Sequence, residues 1–268
     1  MSEHAPDSLV PNEGEGRMEV DKGLPQIVKN PLDRPLELEG NNGPIVCGTD
    51  KGFSYKNRNE DALVIAPRFN AFAVIDGIGG GERGDANALL LARVFQANFL
   101  ARRDDFESIQ QHAHKLMKRH GLAGPNEGAC YIAAVINDND EITIAQAGDV
   151  RLVVIDTLNN RVRFESADEN MSSYRNIVLN SVSGNDSGTT TLSHGNLIDR
   201  DRIIAATDGL WSNVSTEEVV ELVHGKTAQD ALKILEEETR KRMKDEEGKP
   251  DNRTILIYDY TKRSSRSR

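Results

Sequence analysis

The sequence predicts an α+β sandwich whose helices are segregated from its strands. Three observations carry that prediction. Past Pro44, short β-type runs come in clusters. Helical stretches arrive in pairs, where a parallel doubly wound sheet would alternate them one for one with strands. The last apolar run, over 253–258, closes the domain as a strand.

In chain order, 62–66 and 71–75 read as strands separated by the turn Pro67-Arg68-Phe69-Asn70. A helix follows over 87–102, with Leu90, Leu91, Val94, Phe95 and Phe99 spaced by threes and fours. The second helix, 106–120, is stopped by Gly121. Four strands are expected at 130–136, 141–147, 151–155 and 161–166, and a short buried one at 202–207. The runs 217–224 and 228–244 are helical, and Thr227 with Asp230 resembles a capping box. The chain carries no internal repeat at solenoid periods.

Composition divides the chain. Its 43 acidic and 33 basic side chains give a formal charge of −10, and only 37% of its 268 residues are hydrophobic, which predicts that part of it is unfolded. Residues 1–44 hold nine acids against four bases, six of the nine prolines and no aromatic residue, so half of the net charge lies there. Such a stretch buries too little apolar area to offset its ordering entropy, and 1–44 is expected to be a disordered leader. The domain is then 45–260, followed by a flexible basic tail, 261–268, with Lys262, Arg263, Arg266 and Arg268.

Several classes drop out. No apolar run approaches the roughly 18 residues of a membrane span, and the N-terminus lacks a secretory layout, so a cytoplasmic chain away from membranes is expected. Cys47 and Cys130 are too few for a disulfide framework or a thiolate zinc site and are expected to be reduced core residues. An acidic body argues against nucleic acid as a partner.

The informative feature is where aspartates fall. Asp61 precedes a strand, Asp76 and Asp208 each end one and are followed by glycine, Asp251 precedes the last strand, and Asp149 follows the run that ends in Ala147-Gly148. One such acid is ordinary turn chemistry. Several brought from buried strands to one edge would repel each other strongly, unless divalent cations neutralise them. Oxygen-only ligation without histidine favours Mg²⁺ or Mn²⁺ over zinc. The six histidines sit beside none of these acids, neither cysteine has an arginine six positions on, and Ser212 and Ser215 lack a nucleophile elbow.

These motifs, in order, resemble the metal-dependent protein phosphatases of type 2C. The likeness covers about residues 45–260: Gly52 with Asn59-Glu60-Asp61, then Val74-Ile75-Asp76-Gly77-Ile78-Gly79-Gly80, Ala147-Gly148-Asp149-Val150-Arg151, Ala206-Thr207-Asp208-Gly209-Leu210-Trp211, and Asp251-Asn252-Arg253-Thr254. Arg175-Asn176-Ile177-Val178-Leu179 is similar to the segment after the flap of bacterial members. The rival is a dinucleotide loop, since Gly79-Gly80-Gly81-Glu82-Arg83-Gly84 contains G-x-G-x-x-G with Asp104 and Asp105 about twenty residues on. It leaves Asp61, Asp208 and Asp251 unexplained.

The resemblance implies a four-layer αββα sandwich, two central and mostly antiparallel sheets flanked by helix pairs, with two Mn²⁺ or Mg²⁺ ions at one end. Asp76 would bridge the ions, with the Gly77 carbonyl on the first; Asp61, Asp208 and Asp251 would ligate the second. Glu60 would hold metal-bound waters, and a metal-bridging hydroxide would attack phosphorus in line without a covalent phospho-enzyme. Asp149 would hold a third ion with Asp208; the plainer reading is a turn acid paired with Arg151. For gripping the substrate phosphate, Arg58 is the choice and Lys56 the alternative. Gly81 stands where many bacterial members have histidine, and Asp168-Glu169-Asn170-Met171 is the remnant of a shortened flap. The implied activity is a monomeric protein-serine/threonine phosphatase acting on a phosphoprotein within a Ser/Thr kinase system. The alternative is a catalytically silent, phosphoprotein-binding regulatory module.

Overall fold

Several unbroken apolar runs in this chain are strands buried on both faces. In the computed structural model, which describes residues 23–29, 35–53, 58–79, 82–171, 174–245 and 248–262, Phe72 and Val74 face one core while Ala71, Ala73 and Ile75 face another. The same period of two recurs farther on, where Ile203, Ala205, Leu256 and Tyr258 point inward and Ile204, Ala206, Ile255 and Ile257 outward.

The first part of the chain gives strands β1 (Gln26–Val28), β2 (Leu36–Gly40), β3 (Gly43–Asp50), β4 (Ala62–Ala66) and β5 (Ala71–Ile78), then helices α1 (Glu82–Leu100) and α2 (Phe106–Arg119). Next come β6 (Gly128–Ile136), β7 (Glu141–Ala147), β8 (Arg151–Asp156), β9 (Arg161–Glu165), β10 (Asn170–Met171), β11 (Tyr174–Val178), β12 (Thr191–Asn196) and β13 (Asp201–Ala206). The one-turn α3 (Asp208–Trp211), α4 (Thr216–Val223), α5 (Ala228–Lys244) and β14 (Arg253–Asp259) complete it.

Two six-stranded sheets result, in the orders β1-β4-β5-β6-β7-β12 and β2-β3-β14-β13-β8-β9, and every pairing within them is antiparallel. One core lies between the sheets. A second joins β4–β7 to α1 and α2 around Phe95, Phe99, Phe106 and Tyr131; a third joins β13 and β14 to α3, α4 and α5 around Trp211, Val219 and Leu235. The expected four-layer α+β sandwich is what forms. Cys47 and Cys130 are free and buried in its central core.

Helix ends follow local chemistry. Asp105 caps α2 by accepting from the Ser108 amide at 3.1 Å, and Gly121 follows the helix at φ +72°. Thr227 caps α5, but the reciprocal capping box belongs to α4, between Ser215 and Glu218.

Three expectations need correction. Ordered chain begins ahead of residue 45: β1 pairs with β4 and β2 with β3, so 23–29 and 35–44 are not a disordered leader. Short strands at sheet edges need few apolar contacts; only Val28 in β1 and Leu38 in β2 are buried. Residues 1–22 and 263–268 lie outside the described residues. The segment expected as a flap remnant is a small ladder, β10 with β11. Strand β12 was not expected either: Thr-Leu-Ser-His-Gly-Asn has no buried face and is held by its six-residue register with β7. Among the described residues, no helix is long and apolar enough to cross a membrane.

Candidate metal centre

Antiparallel register carries the five aspartates to one end of both sheets. Ala62 pairs with Ile75, so Asp61, just before β4, lies beside Asp76 near the end of β5. Tyr131 pairs with Ala147, and Asp76 with Cys130, which brings the turn after β7 to the same end. In the other sheet Ala206 pairs with Ile255, placing Asp208 and Asp251 together. Contacts across the sheets fix the ends to each other. Thr207 Oγ1 donates to Asp61 Oδ2 at 2.9 Å, and the Glu60 amide donates to Asn252 Oδ1 at 2.8 Å.

Burial and mutual repulsion act on these acids together. Desolvation raises the Asp61 carboxyl to about 7 against the hydroxyls of Thr207 and Thr254, with Asp251 and Asp208 adding to the rise. Desolvation also raises Asp208 to about 6; Lys249 opposes it, while Asp251 and Asp149 reinforce it. Asp76, half-buried, is pushed well above the carboxylate range by desolvation and then by Asp61, Asp208, Asp149 and Asp251. Asp149 is raised by burial. Lys249 bonds Asp208 Oδ2 and lies 3.5 Å from Asp251 Oδ2; burial works against its charge, but the acids outweigh it and its pKa is raised.

Among the described residues no three acids close around one ion position, and Lys249 stands between two of them. The donor set nevertheless fits a hard divalent cation. It is all oxygen, its charges are mutually suppressed, and Asp61 Oδ1 is buried with no hydrogen-bond partner among the described residues.

Glycines permit the close approach. A Cβ on Gly77 would stand 2.1 Å from the Gly84 carbonyl oxygen and 2.8 Å from that of Glu60. A Cβ on Gly84 would meet the Gly77 oxygen and the Glu60 carboxyl at 2.8–2.9 Å, so Glu60 and the Gly77 carbonyl both face the first turn of α1. That end of a helix favours a carboxylate. Gly77→Ala is expected to destabilise the fold by roughly 3 kcal/mol, read as a lower denaturation midpoint at unchanged m. After β7, Gly148 at φ +100° turns the chain into Asp149 against Cys130 Sγ, where a side chain would collide. Glu169 holds that turn, accepting from the Gly148 amide at 2.8 Å and from Asn180 Nδ2 at 2.6 Å.

Sequence reasoning missed Lys29, which follows β1. Its ammonium donates to the Asn59 and Asp61 carbonyls at 3.0 and 2.8 Å and pairs with Asp85 at 2.8 Å, while Asn59 Nδ2 donates back to the Lys29 carbonyl at 3.0 Å. The segment bearing Glu60 and Asp61 is thus clamped by a residue 30 positions away, with no local signal in the sequence. Lys29→Met should cost about 2 kcal/mol, because two buried carbonyls and a carboxylate lose their donor; thermal unfolding would show a drop of about 6 °C.

Other expectations divide. Arg58, with a half-exposed side chain, lies 3.8 Å from Asp85. Lys56, Gly80 and Gly81 lie outside the described residues. Arg151 does not pair with Asp149; it pairs with Asp168 at 2.5 Å and Glu165 at 3.0 Å and sits over the Trp211 ring. The dinucleotide rival fails, because β5 has only antiparallel neighbours, β4 and β6, and Asp105 is the cap of α2 rather than the end of a second parallel strand.

No protein-family profile matches the chain. Over 172 residues it is 28% identical to "Probable protein phosphatase 2C 1" of Oryza sativa subsp. japonica, a match covering 63% of this chain. The chain spans about half the length (51%) of that curated relative. The serine/threonine phosphatase PstP/Ppp of Mycobacterium tuberculosis superposes with a TM-score of 0.68 at 17% identity, over 81% of this chain and 98% of that one. The chain has the fold of the type 2C protein phosphatases. RsbX, solved in complex with magnesium, shares this phosphatase fold at a TM-score of 0.64 and 17% identity, over 85% of this chain and 100% of its own. The PstP catalytic domain has been solved with 2 manganese ions. Within the phosphatase fold of the present chain, the five aspartates occupy one end of the sandwich.

Proposed function

We propose that this chain is a metal-dependent phosphatase acting on phosphoserine or phosphothreonine in proteins. The convergence of Asp61, Asp76, Asp149, Asp208 and Asp251 at one end of two sheets carries the reading, since burial and mutual repulsion work against the charged forms of Asp61, Asp76 and Asp208 and bound cations would offset that. Asp61, Asp208 and Asp251 would hold one Mn²⁺ or Mg²⁺, Asp76 would reach it and a second, and Asp149 with Asp208 would serve a third. Bound there, the cations would supply Lewis-acid charge for phosphoryl oxygens and an activated water.

The chain's own residues do the rest. Thr207 orients Asp61 by donating to one of its oxygens, which leaves the other for a cation. Asn252 ties the Asp251 loop to Glu60 and to the Lys51 and Arg58 carbonyls, so the two loops keep a common geometry. Glu60, kept near the first turn of α1, would accept hydrogen bonds from water in the centre. Arg58 would leave Asp85 to grip the substrate phosphate, a step its exposure permits.

The deciding experiment is hydrolysis of an aryl phosphate and of a phosphothreonine peptide with Mn²⁺, with chelator, and by Asp208→Asn. Turnover that needs the metal and the aspartate is expected. Absence of metal-dependent turnover would overturn the enzyme reading and favour the silent phosphoprotein-binding module, for which the engagement of Arg58 with Asp85 is the supporting observation.

A further inference from the structure

Lys249 brings a cation of the chain's own into the aspartate cluster. Its ammonium bonds Asp208 Oδ2 and lies 3.5 Å from Asp251 Oδ2, two acids supplied by different elements. The backbone beneath it is fixed. The Lys249 amide donates to Asn213 Oδ1 at 3.0 Å, and Asn213 Nδ2 donates to the Lys249 carbonyl at 3.0 Å and to the carbonyl of Gly209, next to Asp208, at 2.9 Å. Gly248 permits the approach: a Cβ there would stand 1.9 Å from the Arg242 carbonyl oxygen. Pro250 restricts the backbone on the other side. The lysine stem, in contrast, has four rotatable carbons and is about one-third exposed (35%), so the head can leave for solvent while the backbone stays.

A pair open to water on both sides contributes little. Here the acids are crowded by further carboxylates, so the ammonium offsets a repulsion that solvent alone does not remove. A divalent cation seated on Asp208 and Asp251 needs the oxygen atoms that the ammonium now engages.

We propose that Lys249 is a built-in counter-ion of the centre: it holds Asp208 and Asp251 together in the metal-free chain, and a divalent cation takes these acids only by expelling it. The inference rests on the metal-centre reading above and adds an exchange step to it. Lys249 thereby weakens metal affinity and protects the metal-free fold from its own acids. Metal occupancy then depends on the free concentration of Mn²⁺ or Mg²⁺ instead of being permanent.

The test uses the whole chain and Lys249→Met, which keeps the stem and removes the charge, with Lys249→Arg as the charge-retaining control. Melting in chelator should fall by about 3 °C for Lys249→Met and be largely restored in Lys249→Arg. By calorimetric titration, the Mn²⁺ step that Asp208→Asn abolishes should tighten about tenfold in Lys249→Met. An unchanged or weaker Mn²⁺ step overturns the proposal, as does an unchanged metal-free melting temperature. If the natural chain takes up no Mn²⁺ at all, the metal-centre reading fails and the exchange step with it. The metal-free melting of Lys249→Met then decides the counter-ion role by itself.

Discussion

Asp76→Asn is expected to raise the melting temperature of the metal-free protein at pH 7.5 while reducing metal-dependent phosphatase turnover at least roughly a hundredfold. The two effects have one cause. Asp76 sits on β5 with four other acids around it, and its carboxyl is driven far above the ordinary range by desolvation and then by Asp61, Asp208, Asp149 and Asp251. In the unfolded chain it ionises freely, so at pH 7.5 folding without metal must either protonate it or hold a repelled charge; both cost stability. The amide removes that cost at nearly constant volume. A gain of roughly 2 kcal/mol corresponds to about 6 °C for a chain of this size. Most substitutions at buried positions destabilise, so a rise in stability with loss of activity marks a site kept for function. Thermal unfolding in chelator together with aryl phosphate hydrolysis in Mn²⁺ measures both. A fall in the metal-free melting temperature would mean that Asp76 is structurally satisfied, and the functional reading would lose its main support.

The acids were legible because strand ends announce themselves. Asp76-Gly77 and Asp208-Gly209 break apolar runs, Asp76 where β5 outruns its β4 partner while still pairing with β6 and Asp208 just past the end of β13, and antiparallel pairing takes both to the same end. Strands such as β4 and β7 and helix α5 show their observed limits in the sequence, since burial on two faces or a helical stripe leaves a continuous pattern. What stayed hidden has no periodic signature. Strands β1 and β12 are held mainly by backbone pairing, to which side-chain patterns are blind. Lys29 acts on two carbonyls 30 and 32 positions later, and Lys249 acts on an aspartate 41 positions earlier. Lone lysines in polar stretches look like solvated charge until the fold supplies their partners.

The metal-free protein should lose stability as pH rises from about 4 to about 7, against the usual trend for paired carboxylates. Folding raises Asp61 from 3.8 to about 7 and Asp208 from 3.8 to about 6, in both cases through desolvation first. Between 3.8 and those values the folded chain binds more protons than the unfolded one, so the slope of unfolding free energy with pH is negative. The penalty is absent below the unfolded values, grows through the window, and is complete above about 7. Lys249 offsets part of it at Asp208. Mn²⁺ binds the ionised acids, so it should add more stability at pH 7.5 than at pH 5, where protons compete for the same oxygens. Melting curves from pH 4.5 to 8, in chelator and in Mn²⁺, should therefore diverge as pH rises, the chelator series falling by several degrees. A chelator series that climbs over that range would show that the five acids are already neutralised within the protein and have no need of a bound cation.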